Sequence, residues 1–471
     1  MRARPICILS GFLLFLGATP AAAEPLKGAH LPIWEGLPFA GLLLSIAFGP
    51  VFARKLWHVH YGKAAAFWAL LTFALLAYSE GLRAALAAFS HSMMADYAPF
   101  ILMLFALYTA AGGIVVSGIK RATPSTNVML LAAGTFAASI IGTIGASMIL
   151  IRPLLQANAT RRHRVHSVVF FIFLVSNIGG VLSPLGDPPL FFGFLRGVDF
   201  FWPVRALWPP MLFVCAVLLG LFYLLDSYLF REDCKMAGSG SIVPEPHLSI
   251  SGLVNFALIA AVIVAILTSA LWHSGIAFDF LGTKLELQNL LRDVALLAIG
   301  FVSLAVTPAA NRRANHFSWE PLEEVAKLFA AIFITIVPVM AMLAAGAAGP
   351  FAPVVAGLAH ANGQPNPAAY FWASGLLSSF LDNAPTYLVF FGMAGGDPAV
   401  LMGPLAKTLE AISLGAVFMG AMTYIGNAPN FVVYALARRA RVDMPGFFGY
   451  MAWAGAILAP VFILVTVLFL I

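Results

Sequence analysis

Hydroxyl, amide and carboxylate side chains stand at unusual places in this 471-residue chain. SNIGGVLSPLGDPPL (176–190) sets Asn177, Ser183, Gly186 and Asp187 among glycines and prolines, between the greasy flanks VVFFIFLV and FFGFL. SSFLDNAP (378–385) groups Ser378, Ser379, Asp382 and Asn383, and AVFMGAMTYIGNAPN (416–430) carries Thr423, Gly426 and Asn427. SIIGTIGAS (139–147) adds Ser139, Thr143 and Gly145. Breaking a helix frees backbone carbonyls on one side of the break and amides on the other. Freed carbonyls with hydroxyls and a carboxylate suit a hard cation such as sodium, which takes oxygen ligands as calcium and magnesium do. An open tip of amides suits a carboxylate or oxyanion instead.

The elements that must position these residues are membrane spans. Hydrophobic residues make up 61% of the chain and charged residues 10%, far from the roughly 25% charged of a soluble domain. Apolar runs of about 20 residues recur throughout, each long enough to cross a ~30 Å hydrocarbon core. The fold class is therefore an all-α polytopic membrane protein, expected to hold about ten transmembrane helices. The net charge of +6 records orientation and not nucleic-acid binding. Residues 1–23 read as a signal peptide: Arg2 and Arg4, an apolar core from Ile6 to Leu16, and a small-residue site ending at Ala23. An uncleaved first helix is the alternative. Three cysteines form neither a disulfide framework nor a metal pattern.

Spans are expected at about 33–53, 64–89, 97–119, 166–197, 207–230, 252–273, 289–309, 321–345, 407–437 and 446–471. Basic clusters at 54–55, 120–121, 161–164, 312–313 and 438–441, with Arg231 and Lys235, fall on one side, and scattered single charges fall on the other. This positive-inside bias agrees with a cleaved signal that leaves the mature N-terminus outside, in the periplasm of a bacterial inner membrane. Region 122–156 must then enter and leave on the cytoplasmic face, and region 366–392 on the opposite face. Both are expected to be re-entrant hairpins. Irregular backbone at membrane depth is tolerated only where protein buries it or it lines a watery cavity, so opposed hairpins imply a central polar site.

The two broken spans are related to each other. At an offset of 240, Gly180 meets Gly420, Ser183 meets Thr423, Gly186 meets Gly426, Asp187 meets Asn427 and Pro189 meets Pro429. Nearly the same offset superposes the hairpins, Ser139 falling on Ser378 or Ser379 and Thr143 on Asp382 or Asn383. An odd number of crossings per half turns the second half upside down. The expected organisation is a first repeat at 24–230, a cytoplasmic linker at 231–250 and a second, inverted repeat at 251–471. Inverted repeats with interrupted helices and a midplane site are the general design of secondary transporters.

SNIGGVLSPLGDPP, paired with SSFLDNAPTYLVF, resembles the ion transporter superfamily, which includes sodium/proton antiporters, arsenite permeases and citrate or dicarboxylate transporters. The branch it is most similar to is citrate transporter and sodium/proton antiporter-like. The resemblance implies two hairpins and two broken helices enclosing sodium or proton sites, an elevator-like motion against a scaffold, and a homodimer formed through scaffold helices. Carried over by position, one cation site uses Ser139, Thr143, Gly145, Ser183, Gly186 and Asp187. The other uses Ser378, Ser379, Asp382, Asn383, Thr423, Gly426 and Asn427. The hairpin tips GTIGAS and LDNAP lack the Ser-Asn-Thr triplet of the dicarboxylate branch.

Each candidate also has a bland role. Asp187 before two prolines is expected to cap the second half-helix, and Asn427 likewise. A carboxylate within a bilayer is by default also a functional candidate. Asp382, at a hairpin tip, is expected to alternate between a proton and a sodium ion. Asn177 either lines the substrate path or bonds between helices. Arg152 is read as snorkelling, and Asp226, Glu80 and Glu410 as needing no special role. No protease pair, GxSG or Walker motif occurs, so no enzyme and no resident cofactor are expected. The expected partners are the lipid bilayer, a small cation and a carboxylate anion. The first reading is sodium/proton exchange. The second is cation-coupled uptake of citrate or a related carboxylate, or arsenite permeation.

Overall fold

The computed structural model describes residues 26, 28–118, 123–236, 249–315 and 317–471. The expected signal peptide, the Lys120-Arg121 pair and most of the expected linker lie outside the described residues. In chain order the helices are α1 (Leu37–Phe52), α2 (Arg54–Ser79), α3 (Leu82–His91), α4 (Ala98–Ala111), α5 (Pro124–Ile141), α6 (Thr143–Ala157) and α7 (Val165–Leu174). They continue as α8 (Pro188–Leu195), α9 (Trp202–Met236), α10 (Val254–Leu271), α11 (Leu287–Val306), α12 (Ala309–Ala314), α13 (Glu320–Thr335) and α14 (Val337–Ala344). The last are α15 (Ala352–Gly357), α16 (Pro367–Phe380), α17 (Asn383–Met393), α18 (Pro398–Met402), α19 (Ala406–Phe418), α20 (Ala428–Arg439) and α21 (Phe447–Val465). Among the described residues, nine spans are long and apolar enough to cross a membrane, or ten if α13 and α14, bent by 41°, make one. The chain is an all-α multi-pass membrane protein.

Two small antiparallel pairs complete it: β1 (Val115–Ser117) with β2 (Ser249–Ser251), and β3 (Ala277–Phe280) with β4 (Thr283–Glu286). The β3–β4 turn is Leu281-Gly282, both at positive φ, which suits the right-handed twist of a tight hairpin.

The early spans differ from expectation. The break expected between residues 89 and 97 lies instead at Glu80-Gly81, where Gly81 has φ +88°. The basic pair Arg54-Lys55 opens α2 and is not a loop. From Leu82 the chain stays helical to Ala111 through a π-helical segment, Ser92–Tyr97. A positive-φ glycine reverses the chain at no steric cost, whereas the apolar run after it offers no reason to stop.

The helices pack in two groups. α1 and α2 pack with α13, and α4 packs with α10 and α11. The other group holds α5–α9 with α16, α17 and α19–α21, linked by contacts of α17 with α8, α20 with α6 and α7, and α19 with the segment after α7. The groups meet where α4 packs on α6 and α8 and where α14, continuing from α13, packs on α17. Each group draws helices from both halves of the sequence, so residues far apart in the chain share one site.

Candidate functional site

Two helix pairs frame the site. α5 and α6 pack on each other and join at Gly142, with φ +80° and ψ 151°, a conformation essentially reserved for glycine. A Cβ there would also lie 3.2 Å from Leu185 O. The turn is thus at Gly142, while Gly145 lies inside α6 against Ala111. α16 and α17 join through Leu381-Asp382. Both pairs begin alike: Thr123 and Asn366 cap the first helix by accepting from Thr126 N and Ala369 N, and proline follows each cap.

Opposite each tip is a broken helix. α7 ends at Leu174, a 3₁₀ turn covers Ile178–Leu182, and Ser183 and Asp187 are extended before α8. α19 ends at Phe418, a 3₁₀ turn covers Met419–Met422, and Thr423 and Asn427 are extended before α20. The bonds that hold tip to break recur in both. Ser139 Oγ donates to Gly179 O, and Ser379 Oγ donates to Met419 O at 3.1 Å. Ser183 Oγ donates to Ser139 O, and Thr423 Oγ1 donates to Ser379 O at 2.5 Å. Leu185 N donates to Ser183 Oγ at 3.2 Å, and Ile425 N donates to Thr423 Oγ1 at 3.3 Å. Each of these partners sits 240 positions from its counterpart, the separation of Asp187 and Asn427. The breaks also pack with no room to spare: a Cβ on Gly186 would lie 2.1 Å from Gly180 O.

The two halves converge on Asp187. Its Oδ1 accepts from Thr143 Oγ1 at 3.0 Å and Asn427 Nδ2 at 3.2 Å, and its Oδ2 accepts from Asn383 Nδ2 at 2.5 Å. The side chain is buried. These partners come from one hairpin tip, the opposite break and the other hairpin tip, so the two residue sets expected from sequence to form separate sites meet at one carboxylate. Asp187 does not cap α8, and Asn427 does not cap α20. The reason is local: Pro188 and Pro189 supply no N–H to the first turn of α8, and Asp187 is engaged elsewhere. Capping falls instead to Asp382, whose Oδ1 accepts from Ala384 N at 3.1 Å.

Asparagines knit the rest of the centre. Asn177 Nδ2 donates to Asn430 Oδ1 at 2.7 Å, and Asn427 Nδ2 donates to Asn177 Oδ1 at 3.2 Å. Ser176 pairs with Ser147 at 2.9 Å. Ser378 Oγ donates to Ala416 O at 2.6 Å. Asn383 Oδ1 is buried without a hydrogen-bond partner. Carbonyls of Gly420, Ser378 and Ser379 lie 2.8, 2.9 and 3.0 Å from the point a Cβ on Gly426 would occupy. Asp382 and Asn427 line a cavity of about 10 Å³ together with Phe100, Val325 and Phe329, the size of a single water probe. The hydrogen-bond partners described for Asp187 and Asp382 are neutral. A buried carboxylate without a counter-charge is costly, which is the physical setting for taking up a cation or proton.

Two features were missed by reading sequence. Asp226, given no role, is fully buried and bonds Arg161 Nη1 at 2.6 Å, His166 Nε2 at 2.8 Å and Asn127 Nδ2 at 2.9 Å. This cluster ties α5 and α7 to α9, and only the polar types along DSYLFRED (226–233) hinted at it. Asn430 completes the asparagine chain by donating to Gly420 O at 2.8 Å and Thr423 O at 3.0 Å. Its place two residues inside a proline-led half-helix was the available signal. Arg152, half-buried, donates to Ala314 O at 2.9 Å, far along α6 from the Asp187 centre.

Among curated proteins no match to the chain is found. A family match is found over nearly its whole length, from residue 28 to residue 470. With broken helices, opposed tips and a shared buried carboxylate all inside the matched region, the chain belongs to the family described as "Putative citrate transport".

Proposed function

We propose that this protein is a secondary transporter carrying citrate or a related carboxylate across the inner membrane of a bacterium, driven by a sodium or proton gradient. The observation that carries the reading is Asp187, where both tips and both breaks converge. Family membership supports the carboxylate. The repeated tip-to-break bonds support two related repeats, and the basic clusters support their opposite orientation, with α5–α6 entering from the cytoplasm and α16–α17 from outside.

The coupling follows from the donors. Asn383, Asn427 and Thr143 all donate to the Asp187 carboxylate. A proton or sodium ion that neutralises Asp187 removes their strongest acceptor. The two amides are then free to donate to a carboxylate of the cargo, so anion binding follows cation binding. Oxygens for a cation stand nearby: Asn383 Oδ1, Asp382 and the carbonyls around Gly426. With neutral partners around both aspartates, a multiply charged anion alone is repelled and must enter with cations.

Purified protein in liposomes, loaded with a pH dye and challenged separately with sodium, lithium, labelled citrate and arsenite, tests this. Citrate accumulation that requires a sodium or proton gradient is the expected result. A pH change with sodium alone, abolished in Asp382→Asn and without citrate uptake, would favour sodium/proton exchange. That second reading rests on Asp382 lining the cavity beside Asn427.

A further inference from the structure

A partly buried ion pair crosses the boundary between the two helix groups. Asp96 lies in the π-helical segment between α3 and α4, and Arg196 follows the last residue of α8. Arg196 Nη2 is 2.9 Å from Asp96 Oδ2, with the aspartate side chain 10% exposed and the arginine 32%. Each partner is fixed to its own group. The π segment is tied to α13 by Ser92 Oγ donating to Phe333 O at 2.5 Å and by Tyr97 OH donating to Ala326 O at 3.0 Å. The Arg196 N–H closes α8 on Phe192 O and Gly193 O.

The boundary around the pair is aromatic. Phe100 of α4 meets Phe192 of α8 at 4.9 Å between ring centres, and Phe192 meets Phe333 of α13 at 5.0 Å. Apolar contacts are non-directional, so one replaces another at little cost as surfaces slide. An ion pair fixes a distance, and pulling it apart leaves the sheltered Asp96 carboxylate without its counter-charge. A π turn within a long helix is rare and concentrates at functional sites. Here it sits where the charge of Asp96 meets the other group.

We propose that Asp96 and Arg196 form a latch that holds the two groups closed over the Asp382 cavity, and that each transport cycle opens it. The latch rests on the transport reading, since it matters only if the groups move. Removing either charge shifts the population toward the separated state, and exchanging the charges restores the closed one.

Leu104 of α4 faces the cavity beside Asp382 and gives the readout. Full-length protein with Cys7, Cys215 and Cys234 replaced by serine carries Leu104→Cys in proteoliposomes, with a water-soluble maleimide on both sides. Asp96→Asn and Arg196→Gln should each raise the labelling rate roughly tenfold. The exchanged pair, Asp96→Arg with Arg196→Asp, should return it toward the starting rate, and Arg196→Lys should leave it near that rate. Unchanged labelling in both single variants, with unaltered thermal unfolding, overturns the latch. So does an exchanged pair that labels as fast as either single variant. If Asp96→Asn fails to fold, the Arg196→Gln and Arg196→Lys comparison decides alone. Labelled citrate uptake in the same vesicles keeps the two ideas apart. Latch-dependent labelling without uptake removes citrate as the cargo and leaves the latch, and uptake without any labelling change removes the latch only.

Discussion

Asp187 illustrates how one side chain can belong to two halves of a chain at once. Its carboxylate accepts from Thr143, Asn383 and Asn427, and bonds of neutral donors to a charged acceptor are worth about 1.5–3 kcal/mol each. Asp187→Asn puts an amide NH₂ against these donors and removes the charge a cation needs. Citrate uptake in proteoliposomes should fall at least tenfold, by the ~1.4 kcal/mol per decade of an equilibrium. Thr143→Val removes one donor and keeps the charge, so it should cost less uptake than Asp187→Asn. Equal losses in both would mean the carboxylate acts only as a structural acceptor. The residue scale also holds the clearest revision: Asp187 and Asn427 precede prolines as caps do, yet their side chains make no capping bond to the helices they introduce.

At the scale of elements, two short turns decide where the tips fall. Gly142 sets the α5–α6 tip in a backbone conformation that costs a residue with a Cβ about 1–3 kcal/mol, and Leu185 O adds a close contact. Gly142→Ala should therefore lower the thermal unfolding temperature in detergent and reduce uptake. Gly275→Ala is the control: it shares a positive φ, at +72°, but nothing lies within 4 Å of its Cβ. It should lower stability while leaving uptake per folded molecule unchanged. If both variants lose uptake per folded molecule equally, tip geometry is not what the glycine provides. The Asp226 cluster works at the same scale, binding α5, α7 and α9 at the end of the molecule that carries Arg161 and His163. Breaking such a buried set exposes uncompensated charge, a stronger constraint than any apolar contact nearby.

For the whole molecule, orientation is the first thing to check. Basic clusters and the expected signal peptide predict that Cys234 faces the cytoplasm and the β3–β4 turn faces outward. In intact cells an impermeant maleimide should label Leu281→Cys, in a background with Cys234 replaced by serine, and should leave native Cys234 unlabelled until the cells are opened. The reverse pattern would invert the topology and make α5–α6 enter from the outer side. Much of this architecture was legible in the chain itself. Apolar runs, glycine-proline breaks and the 240-residue correspondence are local signals, because the bilayer forces every backbone polar group to be satisfied within its own segment. They determined the membrane class, the breaks at 176–190 and 416–430 and the helix pairs at 124–157 and 367–393. Side-chain partners across distant helices carry no such signal, since any of several polar residues could have met any other. Only the tertiary structure decided that Asp187 joins both halves, that Asp226 is buried among Arg161 and His166, and that Asp96 reaches Arg196 across the boundary.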